Sequence, residues 1–284
     1  MMSNTQFFDG FTENDLQFRL QRKDVSMEEY LSFAADQVLD FTDGQKELIG
    51  EYMERIETII SDRGYALPAL DRITFVCTTM QEECGMTAYT HGTQIYLRGS
   101  FLDDCIAKGE YDPYLLYVLS HKVFHGLTRS DPSFRADMYR IIHFTVQEEE
   151  YVLPPCVREY YISNPDVEHH NAYASFLING ELRDCYLAFI TREHFENQGD
   201  QFFDTGTEVL IPVDGEDICF LPEDASNYTE VFDENTGYTI DPEECMATNF
   251  GYLIAYDTQG PQGEGYPSPW IIDAVREYLL QKDD

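Results

Sequence analysis

Cations are scarce in this chain: 18 lysines and arginines stand against 53 aspartates and glutamates in 284 residues, a formal net charge of -35. So acidic a surface repels nucleic acid and anionic membranes and attracts cations and basic partners. Long apolar runs are missing too, and none approaches the roughly 20 residues that a membrane helix needs. The start, MMSNTQFFDGFTENDLQF, has neither the basic stretch nor the apolar run of a targeting segment. CxxC pairs do not occur. The seven cysteines (Cys77, Cys84, Cys105, Cys156, Cys185, Cys219 and Cys245) are odd in number and widely spaced. That argues against a disulfide framework and for free thiols in a reducing compartment, so the expected location is the cytoplasm. Repeats and low-complexity linkers are absent as well.

What the chain does have is core-forming matter, 43% hydrophobic and 14% aromatic residues. That is enough for one large domain, and a disordered chain would be poorer in both. Residues 1–66 read as helical. Ser26 and Glu29 form an S-x-x-E capping box ahead of Tyr30, Leu31, Ala34, Val38 and Leu39 at helical spacing. A second helix is expected over 43–63, with Gly64 as its stop. Residues 67–150 hold strand patterns at 73–78, 88–90 and 94–97, the last two joined by a turn at His91-Gly92, then a short helix over 100–108. Asp112-Pro113, Asp131-Pro132 and Asp241-Pro242 each place an acidic cap before proline at a helix start. Ser268-Pro269 does the same for a last helix over 269–281. Residues 151–240 read as a β-rich insertion, with a hairpin at 174–178 and 182–191 around Asn179-Gly180 and short strands at 208–213 and 217–221. Residues 241–284 read as C-terminal helices. The expected class is α+β in a single domain.

The chemistry sits in Tyr114-Leu-Leu-Tyr-Val-Leu-Ser-His121-Lys122-Val-Phe-His125-Gly-Leu127. Four residues apart on a helix, His121 and His125 project from one face and can ligate one zinc ion through their ring nitrogens. The flanks are apolar, as a rigid buried metal helix requires. A second segment, Asp241-Pro-Glu243-Glu244-Cys-Met-Ala247-Thr-Asn-Phe250, contains E-x-x-A-x-x-F.

Together these segments resemble the zincin metallopeptidases, which carry H-E-x-x-H on such a helix. The E-x-x-A-x-x-F stretch is similar to the third-ligand helix of glutamate-type zincins, the lethal-factor-like ones among them. The resemblance covers about a third of the chain, around 72–130 and 241–256. It implies a zincin-like fold, a zinc cofactor and Glu244 as third metal ligand beside His121 and His125. Glu244 also stands three residues after the helix cap Asp241, so capping alone is an equal reading. Glu243, Glu168, His169 and His170 remain alternatives for the third ligand. Of these, Glu168, His169 and His170 also stand as site-lining or catalytic candidates. The strand region 89–97 is placed where zincins pair with substrate, which would let an edge strand bind a peptide. His91, His143 and His194 have no such frame, and Glu148-Glu149-Glu150 reads as a solvated face.

The departure is Lys122, which stands where the family has its general base. A protonated lysine cannot take the proton of a water, and loss of the base costs about 10²- to 10⁴-fold in rate. Its charge would also repel a metal ion. The side chain can turn outward, lose its proton, or pair with an acid. The resemblance therefore implies a degenerate metallopeptidase, weakly active or inactive, that acts by binding a peptide or protein. Two other readings stand: an active hydrolase using another base such as Glu168, and a structural or interaction protein whose HxxxH is accidental. Stoichiometric zinc separates the first two from the third, and turnover regained by Lys122→Glu would show that only the base is missing.

Overall fold

The computed structural model describes residues 10–70 and 72–280. The leading residues 1–9 and the end of the last expected helix, from Gln281, lie outside them. Within them the chain is mixed α and β, with eleven α-helices and two four-stranded sheets.

The N-terminal third is mostly helical: α1 (Glu13–Leu20), α2 (Met27–Asp36) and the long α3 (Asp43–Arg63). Ser26 and Glu29 cap α2 reciprocally, and Gly64 closes α3 at φ 69°. One expectation fails here. The stripe that begins at Tyr30 does not run on to Val38 and Leu39, because α2 stops at Asp36 and β1 (Val38–Leu39) pairs with the next strand. Both side chains are exposed, whereas Tyr30 and Ala34 are buried. Their backbone gains a strand partner that a further half-turn of helix would forgo.

The first sheet is mixed. It holds β1, β2 (Thr74–Thr78), β3 (Ala88–His91) and β4 (Gln94–Arg98) in the order β1-β2-β4-β3, with β2 and β4 parallel and β3 antiparallel to β4. After α4 (Gly99–Lys108) come α5 (Pro113–Ser130) and α6 (Pro132–Ile141). Asp112 and Asp131 cap these two through their carboxylates, as the Asp-Pro starts require.

The second sheet is antiparallel throughout, in the order β5-β6-β7-β8: β5 (Thr145–Val146), β6 (Ala172–Ile178), β7 (Glu181–Thr191) and β8 (Gly206–Pro212). It begins before the expected insertion at 151. Asn179 and Gly180 both have positive φ, 52° and 87°, as a type I′ turn demands. The strand expected at 217–221 does not form. Only Phe220 bridges to Leu210, and Ile218 points to solvent. Three short helices punctuate this region: α7 (Pro155–Arg158), α8 (Phe202–Thr205) and α9 (Tyr228–Phe232).

Two C-terminal helices complete the chain, α10 (Pro242–Tyr256) and α11 (Pro269–Leu280). One large apolar cluster joins α3, both sheets, α5, α10 and α11, so the insertion shares the main core. Helices α5 and α10 lie close together. Phe124 meets Phe250 at 5.4 Å between ring centres. A methyl at Gly251 would come within 3.0 Å of the Tyr117 ring, so glycine there permits this approach.

Candidate metal centre

Helix α5 carries His121, Lys122 and His125, and all three side chains are buried. Helix α10 crosses them with Glu243 and Glu244 in its first turn, also buried. His121 Nε2 lies 2.9 Å from Glu244 Oε2, and His125 Nε2 lies 3.7 Å from the same oxygen. One donor atom from each of His121, His125 and Glu244 fits within a 4.8 Å span. Donors about 2.1 Å from a tetrahedral zinc stand about 3.3–3.5 Å apart. The observed spacings straddle that value.

Hydrogen bonding sets the direction of each donor. His125 Nδ1 lies 2.8 Å from Glu243 Oε1, and that carboxylate also accepts from Tyr139 at 2.6 Å and from Thr128 at 2.7 Å. An imidazole that donates from Nδ1 to a carboxylate presents a bare Nε2, the arrangement found behind metal-bound histidines. His125 Nε2 is buried and has no hydrogen-bond partner. Buried polar atoms are rarely left so, and a cation would satisfy this one. His121 Nδ1 has Tyr117 Oη at 3.4 Å and Thr248 Oγ1 at 3.5 Å. Glu244 Oε1 accepts from Asn164 at 2.6 Å and from Tyr238 at 3.2 Å, which leaves Oε2 to the centre. Asp241, not Glu244, performs the capping, by accepting from Glu243 N.

Lys122 neither turns outward nor stands alone. Its Nζ donates to Asp166 Oδ2 at 2.6 Å in a buried pair. Burial alone would raise the Asp166 carboxyl, but the Lys122 ammonium overrides this and holds it well below the usual range. Glu244 is likewise lowered against its burial, by Lys122 first. Burial, then the Lys122 charge, push His121 down to about 4, so it is a neutral donor at pH 7.

The segment that bears Glu168, His169 and His170 reaches the centre through two other residues, Asn164 and Asp166. The three candidates themselves stand elsewhere. Glu168 accepts from Gly92 N at 2.7 Å and pairs with Arg129 at 3.3 Å. His169 is exposed beside Glu150, and His170 Nε2 meets Tyr161 Oη at 3.2 Å. None of the three belongs to the donor group, and Glu243 supports His125 from behind rather than facing the centre. Nothing in the spacing of Asp166 marks it in the sequence as the partner of Lys122. The edge position expected near 89–97 is real, since β3 ends the first sheet. It is not open, however: all four β3 residues are buried, and Thr90 donates to Asp166 at 2.7 Å.

No family model, curated protein or solved structure matches this chain. The site therefore rests on its own geometry, a buried His-His-Glu group whose donors can hold a metal ion. None of the helices among the described residues is long and apolar enough to cross a membrane.

Proposed function

We propose that this protein is a zincin-like, metallopeptidase-derived protein that holds zinc at His121, His125 and Glu244, hydrolyses peptides weakly or not at all, and acts by binding a peptide or protein. One observation carries the reading. Two imidazoles on α5 and a carboxylate on α10 converge on one point, with the bare His125 Nε2 aimed at it.

When bound, zinc would polarise a carbonyl and a water. The chain's own residues then have definite tasks. Glu243, braced by Tyr139 and Thr128, keeps the His125 ring in register. Asn164 and Tyr238 hold Glu244 Oε1. Lys122 stands at the place of the base, and its ammonium is occupied by Asp166, so it has no capacity to take a proton. Without a base a rate loss of about 10²- to 10⁴-fold follows. The alternative base Glu168 is committed to Gly92 and Arg129, which weighs against an active hydrolase. A net charge of -35 favours a basic peptide or protein as partner.

The test is the zinc content of the purified protein by mass spectrometry, with His121→Ala as control and a general peptidase assay alongside. One zinc per chain, lost in the variant, with negligible peptide hydrolysis, is the expected result. No zinc after incubation with zinc salts would refute the metal reading. Vigorous hydrolysis by the natural chain would refute the silencing.

A further inference from the structure

Three donors leave a tetrahedral metal one position short, and the difference matters. Catalytic zinc sites keep that position open, whereas structural sites close it with a fourth protein ligand. The segment 163–168 runs across the centre and brings one more carboxylate to it. Asp166 is buried, and its Oδ1 lies 3.9 Å from His125 Nε2, the nitrogen without a hydrogen-bond partner. It does not belong to the three-donor group, whose atoms all lie within 4.8 Å of one another.

The two oxygens of Asp166 have separate surroundings. Oδ2 takes the Lys122 ammonium, and Oδ1 is the atom turned to His125. Oδ1 also accepts from Thr90 Oγ1, and this leaves it a further lone pair. The backbone behind the carboxylate is anchored. Arg129 donates to Pro165 O at 3.2 Å, Asp166 O at 2.8 Å and Gly92 O at 2.8 Å. Arg19 donates to Ser163 O at 2.8 Å, and Asn164 reaches Glu244. Segment 163–168 is thus built to hold an anion at this place. Lys122 is its counter-ion on the far oxygen.

We propose that Asp166 is the fourth metal ligand, through Oδ1, and that it converts the ancestral open site into a closed one. This rests on the metal reading given above. Lys122 then serves as a positioning residue that steadies Asp166. Two carboxylates balance the charge of a divalent ion, which lets Lys122 remain beside it. The centre is closed to exogenous ligands, and a peptide has no coordination position to enter.

The test replaces zinc with cobalt(II), whose visible absorption reports coordination, and adds azide as an outside ligand. The natural chain is expected to bind one cobalt with a four-coordinate spectrum that azide does not alter. Asp166→Asn is expected to bind cobalt at least about tenfold more weakly and to give a spectrum that azide shifts. A natural-chain spectrum that azide shifts overturns the proposal, and so does undiminished affinity in Asp166→Asn. Circular dichroism checks that the variant folds, and if it does not, the azide result on the natural chain decides. Should the natural chain take up no cobalt, Lys122→Met is put through the same azide reading. Cobalt with an open position then removes only the fourth ligand. Absence of cobalt from both chains removes the metal centre, and with it the reading on which this one rests.

Discussion

Lys122→Glu writes the zincin motif H-E-x-x-H into the chain and should destabilise the metal-free protein. In the natural chain the ammonium meets Asp166 Oδ2 at 2.6 Å, with both side chains buried. Removing one partner of a buried pair costs about 3–5 kcal/mol, because the other charge is left uncompensated. The new carboxylate adds repulsion of about 3–4 kcal/mol at 4–5 Å and an effective dielectric of about 20. Protonation of one carboxyl relieves most of that term, so the expected net loss is about 3–5 kcal/mol. For a chain of this length the melting temperature should fall by about 5–9 °C. Zinc should reverse much of it, since a ligand at a hundred times its dissociation constant returns about 2.7 kcal/mol. The assay is urea unfolding at pH 7 in chelator and in excess zinc. A variant within about 1 kcal/mol of the natural chain in chelator would refute the buried-pair argument. A variant whose loss zinc does not reduce would refute the assignment of the metal charge to this point.

Three further outcomes are expected. Arg19 is fully buried, donates to Asp15 at 2.6 Å and Ser163 O at 2.8 Å, and grips both Glu83 oxygens. Arg19→Met should therefore cost about 3–5 kcal/mol in urea unfolding, and a loss under about 1 kcal/mol would contradict that network. Tyr139→Phe removes the 2.6 Å bond to the carboxylate behind His125 and should weaken zinc binding about tenfold in a chelator competition, with unchanged affinity as the adverse result. His91 is buried, and burial first, then Arg129, push it down to about 3. The unfolded chain gains this proton near pH 6.5 and the folded chain does not, so stability falls as pH drops through that window. The loss should be about 2 kcal/mol between pH 6.5 and 5, and His91→Phe should flatten that limb of a urea-midpoint profile; equal slopes in the two proteins would refute it.

The parts of this molecule that were legible in advance are those whose physics is local. Asp112, Asp131 and Asp241 cap their helices because a carboxylate next to proline has few other uses at that spacing. His121 and His125 share a face because an α-helix turns every 3.6 residues. The convergence of Glu244 was readable only through a resemblance, since two helices far apart in sequence must pack to create it. Contacts that depend wholly on packing were not legible. Helix α1 has a capping box at Thr12 and Asp15, but it also carries Arg19, whose partners Glu83 and Ser163 lie far along the chain. Val38 and Leu39 continue a helical stripe in sequence, yet the backbone of β2 takes them. Asp166 meets Lys122 across 44 residues, and neither carries a mark of the other.

That pair also explains how a buried lysine is accommodated beside the candidate metal centre. Glu244 and Asp166 are buried there together, and two buried carboxylates need a cation nearby or must take up protons. In an intact metallopeptidase the metal is that cation, and folding is then coupled to loading. Lys122 supplies a covalently attached positive charge at the same place. Under the proposed reading this charge lessens the fold's need for a metal, while His121, His125 and Glu244 stay grouped. Under the proposed zincin-like reading, absence of the base and a lesser need for the metal both follow from the lysine at position 122. The natural chain should accordingly lose less stability in chelator than the chain with glutamate at position 122.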